Sequence, residues 1–246
     1  MFAMSGTMAR LSWPEVRFRF RPLTWALRLV QLLAAFMLAL HIYAAALILI
    51  DPPATAVMAE RGLQGEKILY HPADLEDISP NLVRAVIAAE DTKFCQHNGV
   101  DIDAMGEAVA EWRSGKGLRG ASTISQQTAK NVFFWNGGGL PRKVGDAWMG
   151  LTIDTVWGKR RVMETYLNVA EWGDGLFGAE AAARNRFGKR AADLTEWEAA
   201  YLAAVLPSPN KWRVDPPGPY VRSRAATIHA RMAVVRRDGL DACVLD

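Results

Sequence analysis

Twenty-two consecutive residues, Leu29 to Ile50, carry no formal charge. As an α-helix rising about 1.5 Å per residue they reach roughly 33 Å, enough for a hydrocarbon core of about 30 Å. Gln31, His41 and Tyr43 are the only strongly polar members of the stretch. Asp51-Pro52-Pro53 stops it, because proline lacks the N–H that would continue the helical ladder. Five arginines (Arg10, Arg17, Arg19, Arg21 and Arg28) and one acid, Glu15, lie on its N-terminal side, so residues 1–28 net +4. The remainder holds 24 basic and 25 acidic residues. The positive-inside rule then predicts a basic cytoplasmic tail (1–28), a single transmembrane anchor (29–50) and an exported body. A cleaved signal peptide is the rival reading, since Ala54-Thr55-Ala56 has a small-residue cleavage pattern. The apolar run exceeds the roughly 7–15 residues of such peptides, which favours a retained anchor. His41 reads as a tolerated polar residue facing a neighbour or the interface.

The body reads as helices. Residues 51–78, with Pro72, form a linker and entry loop, and a single domain follows over 79–246. Ser79 serves as N-cap with Pro80 in the first helical position. Leu82, Val83, Val86 and Ile87 then make an apolar stripe, and Glu90 closes that inward face one turn after Val86. Further helical patterns run at about 102–113, 123–135, 141–157, 160–171, 177–186, 196–206 and 220–237. Gly115-Lys116-Gly117, Gly137-Gly138-Gly139 and Gly173-Asp174-Gly175 separate several of them. Thr195-Glu196-Trp197-Glu198 has capping-box spacing. No sustained alternating strand is visible, so the fold class is mainly α. With 50% hydrophobic residues the chain is not disordered throughout, and two cysteines do not make a disulfide scaffold. A near-neutral body argues against nucleic acid as a partner.

Four clusters carry chemistry. The first runs from Ala89 to Asp101, with acids at Glu90, Asp91 and Asp101 beside His97 and a turn glycine, Gly99. A carboxyl on the apolar side of a helix loses water, its pKa rises, and it is prepared for proton transfer near neutral pH. The blander reading pairs Glu90 or Asp91 with Arg84 or Lys93 at the surface. In the second cluster, Gly120 to Lys130, Ser122 can cap a helix that starts near Thr123. Gln126, Gln127 and Lys130 share one face of that helix, suited to a sugar or a phosphate or simply to solvent. In the third, Arg142 and Lys143 precede Asp146 by one turn. That is either a local salt bridge or two cations for a diphosphate with a carboxylate for a divalent metal. In the fourth, Lys159-Arg160-Arg161 opens a helix against its dipole, ahead of Glu164, Tyr166 and Asn168, which hints at an anionic ligand.

In order and spacing these clusters resemble the glycosyltransferase family 51 domain, and within it the monofunctional biosynthetic peptidoglycan transglycosylases. The matching residues are Glu90-Asp91-x-x-Phe94-x-x-His97-x-Gly99-x-Asp101 and Gly120-x-Ser122-Thr123-Ile124-x-Gln126-Gln127-x-x-Lys130. They continue with Arg142-Lys143, then Lys159-x-Arg161-x-x-Glu164-x-Tyr166-Leu167-Asn168. Last come Gly173-x-Gly175-x-x-Gly178-x-Glu180-Ala181-Ala182 and Ala203-x-x-Leu206-Pro207-x-Pro209. Six motifs in register over so much of the chain are a specific signal.

The resemblance implies a lysozyme-like helical domain that polymerises lipid II at the outer face of the cytoplasmic membrane. It implies Glu90 as general base, with inversion at the donor sugar and release of undecaprenyl pyrophosphate. Lys130, Arg142, Lys143 and Lys159 would neutralise the diphosphate. Ser122, Thr123, Gln126, Gln127, Glu164, Tyr166 and Asn168 would hold sugar or phosphate oxygens. Asp146 stands where the family usually has glutamate, as second acid and as a ligand for Mg²⁺; no organic cofactor is implied. The implied partners are lipid II, the growing lipid-linked glycan, the membrane and other cell-wall synthases. A glycan-cleaving lysozyme-like enzyme or lytic transglycosylase would also use one buried glutamate, but would not need the cations. A catalytically weak cell-wall scaffold draws support only from Asp146. Ser208-Pro209-Asn210-Lys211 matches a Ser-x-x-Lys nucleophile pattern, yet no Ser-Asp-Asn or Lys-Thr-Gly partner follows it. It reads as a proline-bounded loop. Cys95 and Cys243 face an oxidising compartment in this topology, and no bond between them is assumed.

Overall fold

The structure is a computed structural model, and it describes residues 22–115, 120 and 122–246. The tail arginines before residue 22 and most of the Gly115-Lys116-Gly117 turn lie outside the described residues. Two compact units are present, one ending at His41 and one spanning Ile42–Asp246. Helix α1 (Pro22–Ala46) is 25 residues long and apolar enough to cross a membrane, which is consistent with a single-pass anchor. It starts seven residues before the expected boundary, taking in Trp25 and Arg28, and gives way to turns over residues 47–49. His41 Nδ1 lies 2.7 Å from the Met37 carbonyl, one turn back.

The second unit is mainly helical. Residues 51–78, expected to be a linker, contain α2 (Ala56–Leu63), capped by the Thr55 hydroxyl, and a short strand β1 (Leu69–Tyr70). Helix α3 (Pro80–Glu90) begins as expected, with Ser79 as N-cap and Pro80 in the first turn. Ser79 Oγ also donates to the Leu194 carbonyl at 2.9 Å, which ties the helix start to the core. Leu82, Val83, Val86 and Ile87 are fully buried. Each such side chain contributes about 1.5–3 kcal/mol on burial, so α3 is a central element.

Helices α4 (Ile102–Arg113) and α5 (Ile124–Phe133) follow, then the long α6 (Gly139–Val169). The two patterns expected at 141–157 and 160–171 are halves of α6, joined at Gly158. Its φ of 75° and ψ of 167° break the ladder there. That region of backbone space is open essentially to glycine alone. Short strands β2 (Glu171–Gly173) and β3 (Leu176–Phe177) pair antiparallel, and β1 joins β3 in parallel in the order β1-β3-β2. Two- and three-residue strands leave no alternation to read, which is why the sequence showed none.

Helices α7 (Ala179–Phe187), α8 (Glu196–Val205), α9 (Pro219–Arg237) and α10 (Ala242–Leu245) complete the chain. The capping box at Thr195 and Glu198 is formed as its spacing predicted. Helix α3 packs between α8 and α9. The question the sequence left open is answered by the fold: Cys95 and Cys243 are bonded, with Cα atoms 5.6 Å apart across 148 residues of sequence. The fold brings together two positions whose separation the sequence could not supply.

Candidate active site

Glu90 ends α3 with its side chain only 12% exposed. Its periodicity put it on the inward face, and the blander surface pairing does not form. Arg84 instead pairs with Asp241 at 2.7 Å, and Lys93 lies 3.6 Å from Asp103. Gln127 Nε2 donates to Glu90 Oε2 at 3.0 Å, and Arg224 Nη2 stands 3.5 Å from Oε1. Burial pushes the Glu90 carboxyl up from its ordinary value, while the Gln127 hydrogen bond and the Arg224 charge pull it part of the way back. Gln127 is held in turn by the Tyr166 hydroxyl, which donates to its Oε1 at 3.3 Å. Tyr166 is fully enclosed, and burial holds its phenol well above the usual range.

Asp91, the next residue, has a different task. Its Oδ2 accepts from the Ile124 amide at 3.0 Å, and His97 Nε2 lies 3.0 Å from the same oxygen. It therefore fastens the first turn of α5 and the loop after α3 beside Glu90. Phe94 fills the core beneath that loop. Gly99 has φ of 78°, and a Cβ there would lie 2.6 Å from the Gly150 carbonyl oxygen, so α6 passes too close for any side chain. Asp101 accepts from the Ala104 amide at 2.9 Å, serving the start of α4.

The cap of α5 is Thr123 rather than Ser122. Thr123 and Gln126 form a capping box, and the Thr123 hydroxyl also donates to the Gly99 carbonyl at 2.6 Å. Both side chains are therefore engaged in backbone structure. Ser122 is exposed and, with Gly120, Thr92 and Gln127, lines a polar hollow of about 610 Å³ that contains Glu90. On the other side of Gln127 lies a second hollow of about 470 Å³, lined by Lys130, Asn131 and Tyr166.

Lys130 is half-buried, and among the described residues its ammonium has no hydrogen bond and no ion pair. Burial, followed by the nearby Arg142 charge, lowers its pKa. Arg142 bonds the Gly137 carbonyl and pairs with Asp146, so the local salt bridge in this cluster is formed. Lys143 is exposed. Burial raises the Asp146 carboxyl, Arg142 opposes that rise, and the Asp146 Oδ1 is enclosed without a partner among the described residues. Among the described residues no cluster of three acids, histidines or cysteines exists, and the Asp146 carboxyl is surrounded by Arg142, Lys130 and Lys143. A divalent cation would meet three like charges and one ligand.

The fourth cluster is structural in its contacts. Lys159 Nζ donates to the His97 carbonyl at 2.5 Å and to Asp154 at 2.8 Å, and sits 4.5 Å from the Phe94 ring centroid. Its charge is thus paired with Asp154, which also accepts from Ser125 in the core. Glu164 pairs with Arg161 and accepts from the Leu75 amide at 3.1 Å. Asn168 clamps the backbone of Ala73 through both of its side-chain groups. Both side chains are engaged within the fold.

The sequence reading missed Arg224, 134 residues from the glutamate it touches. A signal was present. Val221, Ala225, Ile228 and Met232 form the buried stripe of α9, and Arg224 borders it. A cation beside an apolar stripe needs an anion or open water, and Glu90 is the anion.

A family model described as Transglycosylase matches residues 58–233, which contain every residue of both hollows but Val57. A protein of Rhodospirillum centenum named biosynthetic peptidoglycan transglycosylase is 51% identical over 220 residues, covering 89% of this chain and 95% of the relative. Proteins of the same name from Caulobacter vibrioides and Pseudomonas aeruginosa are 50% and 48% identical, over 79% and 83% of this chain and 85% and 91% of the relatives.

Proposed function

Since the chain belongs to the transglycosylase family, we propose that it is a peptidoglycan transglycosylase that polymerises lipid II with Glu90 as its general base. The observation that carries this reading is the pairing across Gln127: an enclosed carboxylate on one side and, on the other, a half-buried ammonium without a partner among the described residues. A glycosyl transfer from a diphosphate needs both. The carboxylate takes the proton of the attacking 4-hydroxyl as its oxygen bonds to C1 of the donor sugar. The bond from C1 to the diphosphate oxygen breaks on the opposite face, so the configuration inverts. The charge that develops on the leaving undecaprenyl pyrophosphate is met by Lys130, with Arg142 and Lys143 behind it. Tyr166 and Gln127 position the base, and Ser122 offers a hydroxyl to a sugar oxygen. A glycan-cleaving enzyme would have no use for a desolvated, unpaired lysine beside its acid.

α1 would hold the domain at the surface that carries its lipid-linked substrate, which raises the effective concentration of both. The arginine-rich flank supports an exported catalytic domain. The test is electrophoresis of the products formed from lipid II by the detergent-purified chain and by Glu90→Gln. Wild type should give a ladder of lengthening glycan, and the variant should be slower by about 10²–10⁴-fold. A ladder from the variant at the wild-type rate would remove Glu90 from the mechanism. Cleavage of preformed glycan in place of a ladder would make the protein a lytic enzyme.

A further inference from the structure

We infer that Arg224 is the positioning residue of the base: its guanidinium holds the enclosed Glu90 carboxylate charged and fixes the plane in which it meets the attacking hydroxyl. The inference rests on the reading of Glu90 as base. Arg224 and Gln127 contact different oxygens of Glu90, from α9 and α5 respectively, so the carboxyl cannot rotate without losing one of them.

Arg224 does not have the contacts of an arginine recruited to stitch the fold. Arg161 is such a residue: it bonds the carbonyls of Leu47 and Ile50 and pairs with Asp51 and Glu164. Arg224 has Glu90 as its ion-pair partner, and its Nε is enclosed without a hydrogen bond among the described residues. Its placement is nevertheless firmly set. The segment after α9 is tied to α3 by the Arg84–Asp241 pair and to the loop after α3 by the Cys95–Cys243 bond. These ties fall six residues before Glu90 and five after it.

Charged and titratable groups face Glu90 from several elements, and Lys93, Asp101 and Glu107 line a smaller hollow with it on the α4 side. Asp91, beside it on the chain, opposes its ionisation and is itself engaged by His97 and the Ile124 amide. Lys130 of α5 and Arg224 of α9 favour ionisation, Tyr166 of α6 is neutral, and Arg231 of α9 lines the same hollow. When a diphosphate occupies the Lys130 side, that ammonium is offset by its ligand. Arg224 is then the direct cationic partner left to the glutamate, at the moment when water has been displaced and the carboxylate most needs one.

An opposite charge within about 4–6 Å moves a carboxyl by about 1–3 pH units, and the partial exposure of Arg224 argues for the lower end. Removing it raises the Glu90 pKa, so the deprotonated fraction falls on the acid side. Arg224→Gln should shift the acid limb of kcat/KM upward by about one pH unit, a tenfold loss at any pH on that limb, with activity recovering as pH rises. Arg224→Lys keeps the charge and should stay within a few tenths of a unit of wild type. Arg222→Gln, on the solvent side of α9 with its guanidinium on the Pro217 carbonyl, should match wild type.

The same variants are to be titrated without substrate in the full detergent-solubilised chain. The readout is the infrared band of the protonated Glu90 carboxyl, identified by its loss in Glu90→Gln. An unmoved midpoint in a folded Arg224→Gln, or a midpoint in Arg224→Lys displaced by about a unit, overturns the inference. If Arg224→Gln does not fold, the lysine variant alone decides it. A shifted band together with a wild type that makes no polymer would overturn the proposed reaction and leave the role of Arg224 standing.

Discussion

A half-buried cation without a partner among the described residues is a liability to the free protein, and that makes Lys130 the sharpest test of the site. Lys130→Met keeps the length of the side chain and removes the charge. Replacing a buried ion by an apolar group of similar volume is often neutral or stabilising by about 1–4 kcal/mol. Here Asp146, Glu171 and Glu60 attract the ammonium from a distance, and Arg142 repels it. The lower end, about 1 kcal/mol, is therefore expected, or a rise in melting temperature of about 2–4 °C for a chain of this size. The sign has a pH signature. The folded-state pKa of Lys130 lies below its unfolded value of about 10.4. The penalty is thus complete below the folded pKa and disappears as pH rises through the unfolded one. The stability gap between variant and wild type should close in alkaline solution, because the wild type gains what the variant already has. Function should move the opposite way. Loss of one preorganised electrostatic contact costs about 10²–10³ in kcat. Loss of a charge-assisted hydrogen bond should weaken binding of a diphosphate by about 1.5–3 kcal/mol. Thermal melting across pH, product gels from lipid II and calorimetric titration with an isoprenyl pyrophosphate measure the three effects. A variant that is destabilised by more than about 1 kcal/mol, or that polymerises normally, would refute the reasoning, since Lys130 would then be a structural residue.

Gly99→Ala should cost about 2–5 kcal/mol, the sum of a left-handed backbone and a Cβ forced against the Gly150 carbonyl; a denaturation midpoint close to wild type would mean that the loop moves away freely. Reducing the Cys95–Cys243 bond releases a loop of 148 residues and should lower stability by about 2–4 kcal/mol, a fall in melting temperature of at least about 4 °C. A melt that is unchanged once thiol titration has verified reduction would show that the Arg84–Asp241 pair and the α9 packing suffice.

What the chain disclosed before folding was whatever depends on neighbours in sequence. The apolar N-terminal helix, the cap of α3, the buried stripe of that helix and the inward turn of Glu90 all follow from residues close in sequence, and each is present. What stayed hidden depends on partners brought in by tertiary packing. Lys159, Glu164 and Asn168 have the residue types of a ligand site. Whether such groups face a ligand or the backbone of a distant loop is decided by where that loop passes, and here it passes beside them. The Thr123 cap shows the same limit on a smaller scale. Ser122 and Thr123 are both good caps, and the Gly99 carbonyl selects the second by offering its hydroxyl another bond.

Asp146 brings these strands together. A carboxylate shorter by one methylene lies nearer its own helix, and a change of about 1 Å in placement is enough to cost about a hundredfold in rate when the group must touch substrate. In this fold Asp146 has one oxygen paired with Arg142, one turn away on the same helix, and the other enclosed with no partner among the described residues. The shorter acid therefore acts first on Arg142. It holds the guanidinium back toward the helix, beside the Gly137 carbonyl, and leaves Lys130 as the cation that lines the hollow beside Gln127.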